Sequence, residues 1–209
     1  MVPLAARGPT LTLRYPEPGD APALFALASD PEVTRFFSWR YAAEEEAEAW
    51  IAGRAAAREA GEWLELVVEH REHGVAGITG LTEPSRRDRR AVTGSWLGRR
   101  FWGTGVNGEA KALLARIAFD ACGLERLGSY ASTANPRSRR ALERLGWRHE
   151  GTLRAFHRHG DRVHDVDVLG LLRAEWAASP LAAVPAELTG EPPAPFTAKA
   201  RAGAPRASR

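Results

Sequence analysis

Residues 99–114, RRFWGTGVNGEAKALL, set glycines at 103, 105 and 108 among Thr104, Val106 and Asn107. Small residues at that spacing let an anion approach the backbone. Val106, Ala110, Leu113, Leu114, Ile117 and Ala121 then repeat with a helical period. A helix beginning here offers first-turn amides with no intrahelical partner and the positive end of its dipole, so the chemistry on offer is phosphate binding; a plain strand-to-helix turn is the alternative that the glycines alone leave open. A Walker loop is excluded, because no Gly-Lys-Ser/Thr follows. A dinucleotide fingerprint is disfavoured, because the strand before the loop follows two hairpin-like strands where a parallel crossover is needed.

A second stretch, NPRSRRALERLGW at 135–147, carries a complete set of helix signals. Asn135 is an N-cap, Pro136 occupies the first helical position, and Gly146 follows the end before an apolar Trp147. Ser138 falls on the face of Ala141, Leu142 and Leu145, so its hydroxyl is directed between this helix and the sheet. His157, His159 and His164 are too loosely spaced for a metal site and read as a polar turn. Cys122 is the one cysteine, which excludes an intramolecular disulfide and a cysteine zinc cluster; it reads as a buried filler.

The elements that must position these residues follow from pattern. TLTLRY (10–15) alternates as a first strand, and Asp20 opens a helix over 21–28. Residues 30–39 form a loop or broken helix, and 42–61 a helix stopped by Gly61. Trp63–His70 and Gly74–Thr82 make a hairpin, and Ala91–Gly98 another strand. After the loop and helix come a strand at 126–133, the short helix at 135–145, and a final hairpin of 147–156 with 163–172. The order β-α-α-β-β-β-α-β-α-β-β is a mixed α/β domain.

Composition sets the bounds. The 209 residues suffice for one hydrophobic core plus tails, and the formal net charge is only +3. The cations are nearly all arginine; Lys111 and Lys199 are the only lysines. With no zinc finger, RNA-binding aromatic pattern or basic helix, a nucleic-acid partner is disfavoured. No apolar run approaches the ~18 residues of a membrane span, and the first residues lack a signal-peptide core, so a cytoplasmic address is expected.

Taken together, SWLGRRFWGTGVNGEAKALL and NPRSRRALERLGWRHEGTLR resemble the GNAT superfamily of acyl-CoA-dependent N-acetyltransferases, and within it the RimJ/RimL-type branch. The likeness extends more weakly from Leu11 to Trp176. It implies a GNAT-like fold of the mixed α/β (α+β) class: a mostly antiparallel twisted sheet of about seven strands flanked by about four helices. The domain would span 10–176, after an N-terminal segment 1–9 and before an Ala/Pro-rich flexible tail at 177–209. It also implies transfer of an acetyl group from acetyl-CoA, without a metal, to a primary amine by direct attack in a ternary complex. The acceptor would be a protein or peptide N-terminus or a small amine, and the protein a monomer or homodimer. A non-catalytic module that binds acyl-CoA as a sensor or assembly part is the alternative.

The family loop reads Q/R-x-x-G-x-G/A, which puts Trp102 at the Q/R position, Gly105 at the glycine and Asn107 at the G/A position. The literal match at Arg100 would start the helix two residues early and leave Val106 and Ala110 out of phase. In the Trp102 register the amides of Gly103, Thr104, Gly105, Val106, Asn107 and Gly108 would hold the pyrophosphate. The resemblance implies that Leu97 pairs its backbone with the pantetheine and the acetyl carbonyl, that Asn135 contacts the pantetheine arm, and that Ser138 stands near the CoA sulfur. Many relatives carry a tyrosine four residues after that serine; here it is Leu142. The acidic residue two before the strand glycine in related proteins is Val92 here, which leaves Glu83 and Asp165 as candidate bases. Phe36, Phe37 and Trp39 follow the first helix, where relatives shape the acceptor pocket.

Overall fold

The computed structural model describes residues 2–159 and 161–198. Among these, nine strands form one sheet: β1 (Ala5–Arg7), β2 (Leu11–Arg14), β3 (Trp63–His70), β4 (Gly74–Ser85), β5 (Arg90–Leu97), β6 (Arg126–Ser132), β7 (Arg148–His159), β8 (Arg162–Leu172) and β9 (Glu187–Thr189). Their order is β7-β8-β6-β5-β4-β3-β2-β1-β9. Six α-helices accompany them among the described residues: α1 (Ala21–Ala28), α2 (Pro31–Thr34), α3 (Glu44–Glu59), α4 (Val106–Arg116), α5 (Pro136–Arg144) and α6 (Arg173–Ala177). None is long and apolar enough to cross a membrane.

Alternation along the strands feeds two apolar layers. Leu64, Leu66 and Val68 of β3 pack with Leu113 and Leu114 of α4 and with Ile117 just past its end on one face, while Val67 and Ile78 pack with Leu24 and Ile51 of α1 and α3 on the other. Past Arg116, α4 widens into a π turn, Ile117–Ala121, whose residues Ile117, Ala118 and Phe119 are buried.

One pairing sets the architecture of the site. β5 and β6 are the sheet's parallel neighbours, with α4 in the crossover between them. They pair only at Arg90↔Arg126, Ala91↔Leu127 and Val92↔Gly128. Beyond that point β5 stays with β4 as far as Leu97, and β6 stays with β8 as far as Ser132. The sheet therefore opens into a fork between Thr93–Leu97 and Ser129–Ser132.

The mixed α/β sheet expected from the sequence is present, but the boundaries at 10 and 176 are not its edges. β1 pairs with both β2 and β9. Leu181 and Phe196 are buried in the α4-side core, and the Ala198 amide donates to the Cys122 carbonyl at 2.7 Å. Through Ala198 the expected tail is thus part of the fold. Strands of three residues show no alternation to read, and a pairing between the two chain ends leaves no local signal. The rest of that expected tail, and the hairpin turn at Gly160, lie outside the described residues.

Candidate functional site

The loop between β5 and α4 is shaped by two glycines. Gly103 and Gly105 adopt φ of +79° and +93°, in the left-handed region where a side chain is strained, and a Cβ on either would meet nothing within 4 Å. The loop thus curls with open space on its glycine side. α4 begins at Val106 with Gly105 in the cap position, and Val106 and Ala110 are buried. That is the helix start of the Trp102 register, not the one two residues earlier. None of the amides from Gly103 to Gly108 finds an acceptor among the described residues. Glu109, in the same first turn, faces β2, where it accepts from the Thr10 amide and hydroxyl and the Leu11 amide at 2.6–2.9 Å.

Trp102 ties this loop to its neighbours. Its indole Nε1 donates to the Leu97 carbonyl at 2.9 Å, and the Arg137 guanidinium lies 3.6 Å from its ring centroid. The Leu97 carbonyl therefore already has an internal donor.

On α5, Asn135 accepts from the Ser138 amide at 3.2 Å, the cap expected from the sequence. Ser138 is half-buried, and its hydroxyl has no hydrogen-bond partner among the described residues, whereas Leu142 is buried. Arg139 anchors α5 to Asp167 of β8 at 3.3 Å, and Asp167 also binds Thr152 at 2.8 Å and His149 at 3.1 Å. Burial pushes the Asp167 carboxyl up, but these hydrogen bonds outweigh it and hold the group below the usual range.

The opposite face of the fork is aromatic. Phe37 stacks on Trp39 at 5.3 Å, and Trp39 meets Trp96 of β5 at 5.6 Å and Tyr41 at 5.4 Å. Phe36 lies outside this group, under the Arg35 guanidinium. On the other bank, Tyr130 of β6 meets Phe156 at 5.2 Å and His157 at 6.2 Å. Burial and then the charge of Glu83 raise the Tyr130 hydroxyl pKa.

The two candidate carboxylates differ. Glu83 is exposed and has φ of +50°, and its carboxylate makes no hydrogen bond to a described residue. Asp165 instead accepts from the Ala155 amide at 2.8 Å, inside the β7 bulge where Ala155 has φ of +53°. Its carboxylate is engaged in holding that bulge. Val92 is buried. His157, His159 and His164 stack in series, and no group of three or more metal-ligating side chains is found among the described residues.

Arg137, Tyr130, Thr93 and Lys111 join the site without having been singled out by sequence. The one signal among them was Lys111, a rare lysine inside an apolar helix pattern. Its side chain is 4% exposed and its Nζ donates to Thr93 Oγ1 at 3.0 Å.

Comparison with known proteins agrees with this architecture. A family profile described as Acetyltransferase (GNAT) domain matches residues 10–148. The uncharacterised N-acetyltransferase p20 of Bacillus licheniformis is 30% identical over 171 residues, covering 80% of this chain and 95% of its own. A candidate acetyltransferase from T. thermophilus superposes with a TM-score of 0.73 at 32% identity, covering 85% of this chain and 94% of that one. The microcin C7 self-immunity acetyltransferase MccE, solved with acetyl-CoA and AMP, gives a TM-score of 0.71 at 20% identity over 78% of this chain and 93% of its own, a likeness of fold.

Proposed function

The chain belongs to the acetyltransferase (GNAT) family, and on that premise we propose that it moves the acetyl group of acetyl-CoA to a primary amine by direct attack within the fork. The observation that carries this reading is the break in β5–β6 pairing after Val92, together with a run of amides that have no acceptor among the described residues. The residues fit the co-substrate. The open space beside Gly103 and Gly105 admits a pyrophosphate to the backbone, and the unpaired edge of β5 suits a pantetheine arm. Asn135 and Ser138 would border the arm from α5.

In the reaction the amine nitrogen bonds to the thioester carbonyl carbon and the C–S bond breaks. The thiolate leaves and takes up a proton. A primary amine is mostly protonated near neutrality, so a base must first accept its proton. Glu83 is the more available carboxylate, its side chain making no hydrogen bond among the described residues while its charge is felt at the Tyr130 hydroxyl; Asp165 is engaged in the bulge. Ser138, with an uncommitted hydroxyl, is the candidate to protonate the leaving thiolate. Phe37, Trp39 and Trp96 would wall the acceptor, favouring an amine carried on an apolar or aromatic group. The acceptors best suited are a protein or peptide N-terminus or a small amine.

The test pairs CoA binding by thermal shift with thiol release from acetyl-CoA across a panel of amines and N-terminal peptides. Stabilisation together with turnover supports the reading. Stabilisation with no turnover on any amine favours the non-catalytic module, for which the apolar Val92 and Leu142 speak. Stabilisation by NAD or ATP and not by CoA overturns both.

A further inference from the structure

The fork has a closed end, and that end is polar. Thr93 is the first β5 residue past the last β5–β6 pair. Ser129 of β6 donates its hydroxyl to the Thr93 carbonyl at 3.2 Å, and Lys111 of α4 donates to the Thr93 hydroxyl at 3.0 Å. Thr93, Lys111 and Ser129 are 2%, 4% and 5% exposed. Along α4 the residues around Lys111 are apolar and buried: Ala110, Ala112, Leu114 and Ala115.

A buried amine needs partners, and Lys111 has one hydroxyl for its three possible donors. Among the described residues no carboxylate compensates it: Glu109, on the same helix, is committed to Thr10 and Leu11. Burial is the one cause that moves its pKa, down to about 7. The Thr93 hydroxyl accepts from Lys111, and its own proton has no acceptor among the described residues. Donors are thus in surplus where a ligand threaded between β5 and β6 must stop.

We propose that Lys111, with Thr93, is a further contact for the acyl donor, giving its unused N–H groups to a carbonyl oxygen of the arm that enters the fork. The inference rests on the reading of the fork as the acyl-CoA site. A carbonyl is the chemistry these donors fit, since it accepts hydrogen bonds whether the amine is charged or neutral. Three carbonyls of that ligand qualify, the thioester and the two pantetheine amides, and the thioester is separable from the amides because CoA lacks it.

The experiment compares the wild type with Lys111→Met, which keeps an unbranched side chain one atom shorter and removes the donors. The CoA dissociation constant is read by calorimetry, and kcat and KM for acetyl-CoA by thiol release. The expected result is a fall of about tenfold in kcat/KM, the size of one lost hydrogen bond to a charged donor. A contact to the thioester lowers kcat with CoA affinity unchanged, whereas a contact to an amide weakens CoA binding in parallel. A folded Lys111→Met with kcat/KM and CoA affinity within about twofold of wild type overturns the inference while the acetyltransferase reading stands. If that variant does not fold, Thr93→Val, of similar shape without the hydroxyl, carries the same test and the same overturning result. A wild type that neither binds CoA nor releases thiol overturns the fork reading and this inference with it.

Discussion

The two sides of the fork are made of different material. On the α4 side the surface is backbone, the unpartnered amides from Gly103 to Gly108 around glycines at positive φ. On the far side it is side chains: Phe37, Trp39 and Trp96 on one bank, Tyr130, Phe156 and His157 on the other. A backbone surface depends on conformation and tolerates change in most side chains; a side-chain surface changes its ligand with each substitution. The first suits a constant co-substrate, the second an acceptor that differs between proteins. Substitutions on the two sides should therefore separate donor affinity from acceptor affinity.

The largest effect is expected beneath both sides, at Lys111. Its folded pKa of about 7 lies below the ordinary lysine value of 10.5. Between those values the unfolded chain holds a proton that the folded chain has released, so this group makes stability rise with pH. The burial penalty is fully present below pH ~7 and gone above ~10.5. Lys111→Met should raise the unfolding free energy by on the order of a few kcal/mol near pH ~6, with the gap closing toward pH ~10. Denaturant titrations across that range measure it, and a gap that does not change with pH would contradict an uncompensated buried amine.

Next in size is the backbone side. Gly105→Val places a β-branched residue at φ of +93° and puts its side chain into the open space beside the loop backbone. Strain of about 1–3 kcal/mol and lost access should weaken CoA by ~10–100-fold, with the acceptor KM much less affected. Calorimetry with CoA checks this, and unchanged affinity would remove the loop from the donor site.

The carboxylates give an effect of comparable size, on the chemical step instead of on binding. Glu83→Gln should lower kcat by about 100-fold if it is the base, the low end of general-base effects. Asp165→Asn keeps an oxygen to accept from the Ala155 amide and should change kcat by less than about threefold. The reverse order would move the base to the β7–β8 hairpin.

Smaller effects follow on the side-chain surface. Trp39→Ala removes ring contacts worth about 0.5–1.5 kcal/mol each and should raise the acceptor KM by ~3–10-fold without moving CoA affinity. A parallel loss of CoA binding would mean that the two sides are not separate. Ser138→Ala should reduce kcat by about threefold at constant CoA affinity, as expected for a proton donor that water can replace. An unchanged kcat would leave Ser138 as packing.

Much of the backbone side was legible because its signals are local. Asn135, Pro136 and Gly146 mark their helix by capping rules, and the phase of Val106 and Ala110 distinguishes the Trp102 register from the Arg100 one. The far side was less legible. Phe37 and Trp39 stand in a stack that Phe36, their neighbour in sequence, does not join. Tyr130 reaches Phe156 only because β7 and β8 fold back beside β6. Asp165 is spent on a bulge that no sequence period announces.

What the sequence determined by itself, then, was the run of elements and the place where a glycine loop meets a helix start, since these depend on residues a few positions apart. The tertiary structure alone decided that the chain ends join the sheet through β1 and β9, that β5 and β6 part after Val92, and that Lys111 sits buried on Thr93 at that parting. Each of these is a contact between residues distant in sequence, and such contacts follow from the packing of whole elements rather than from the preference of any one of them.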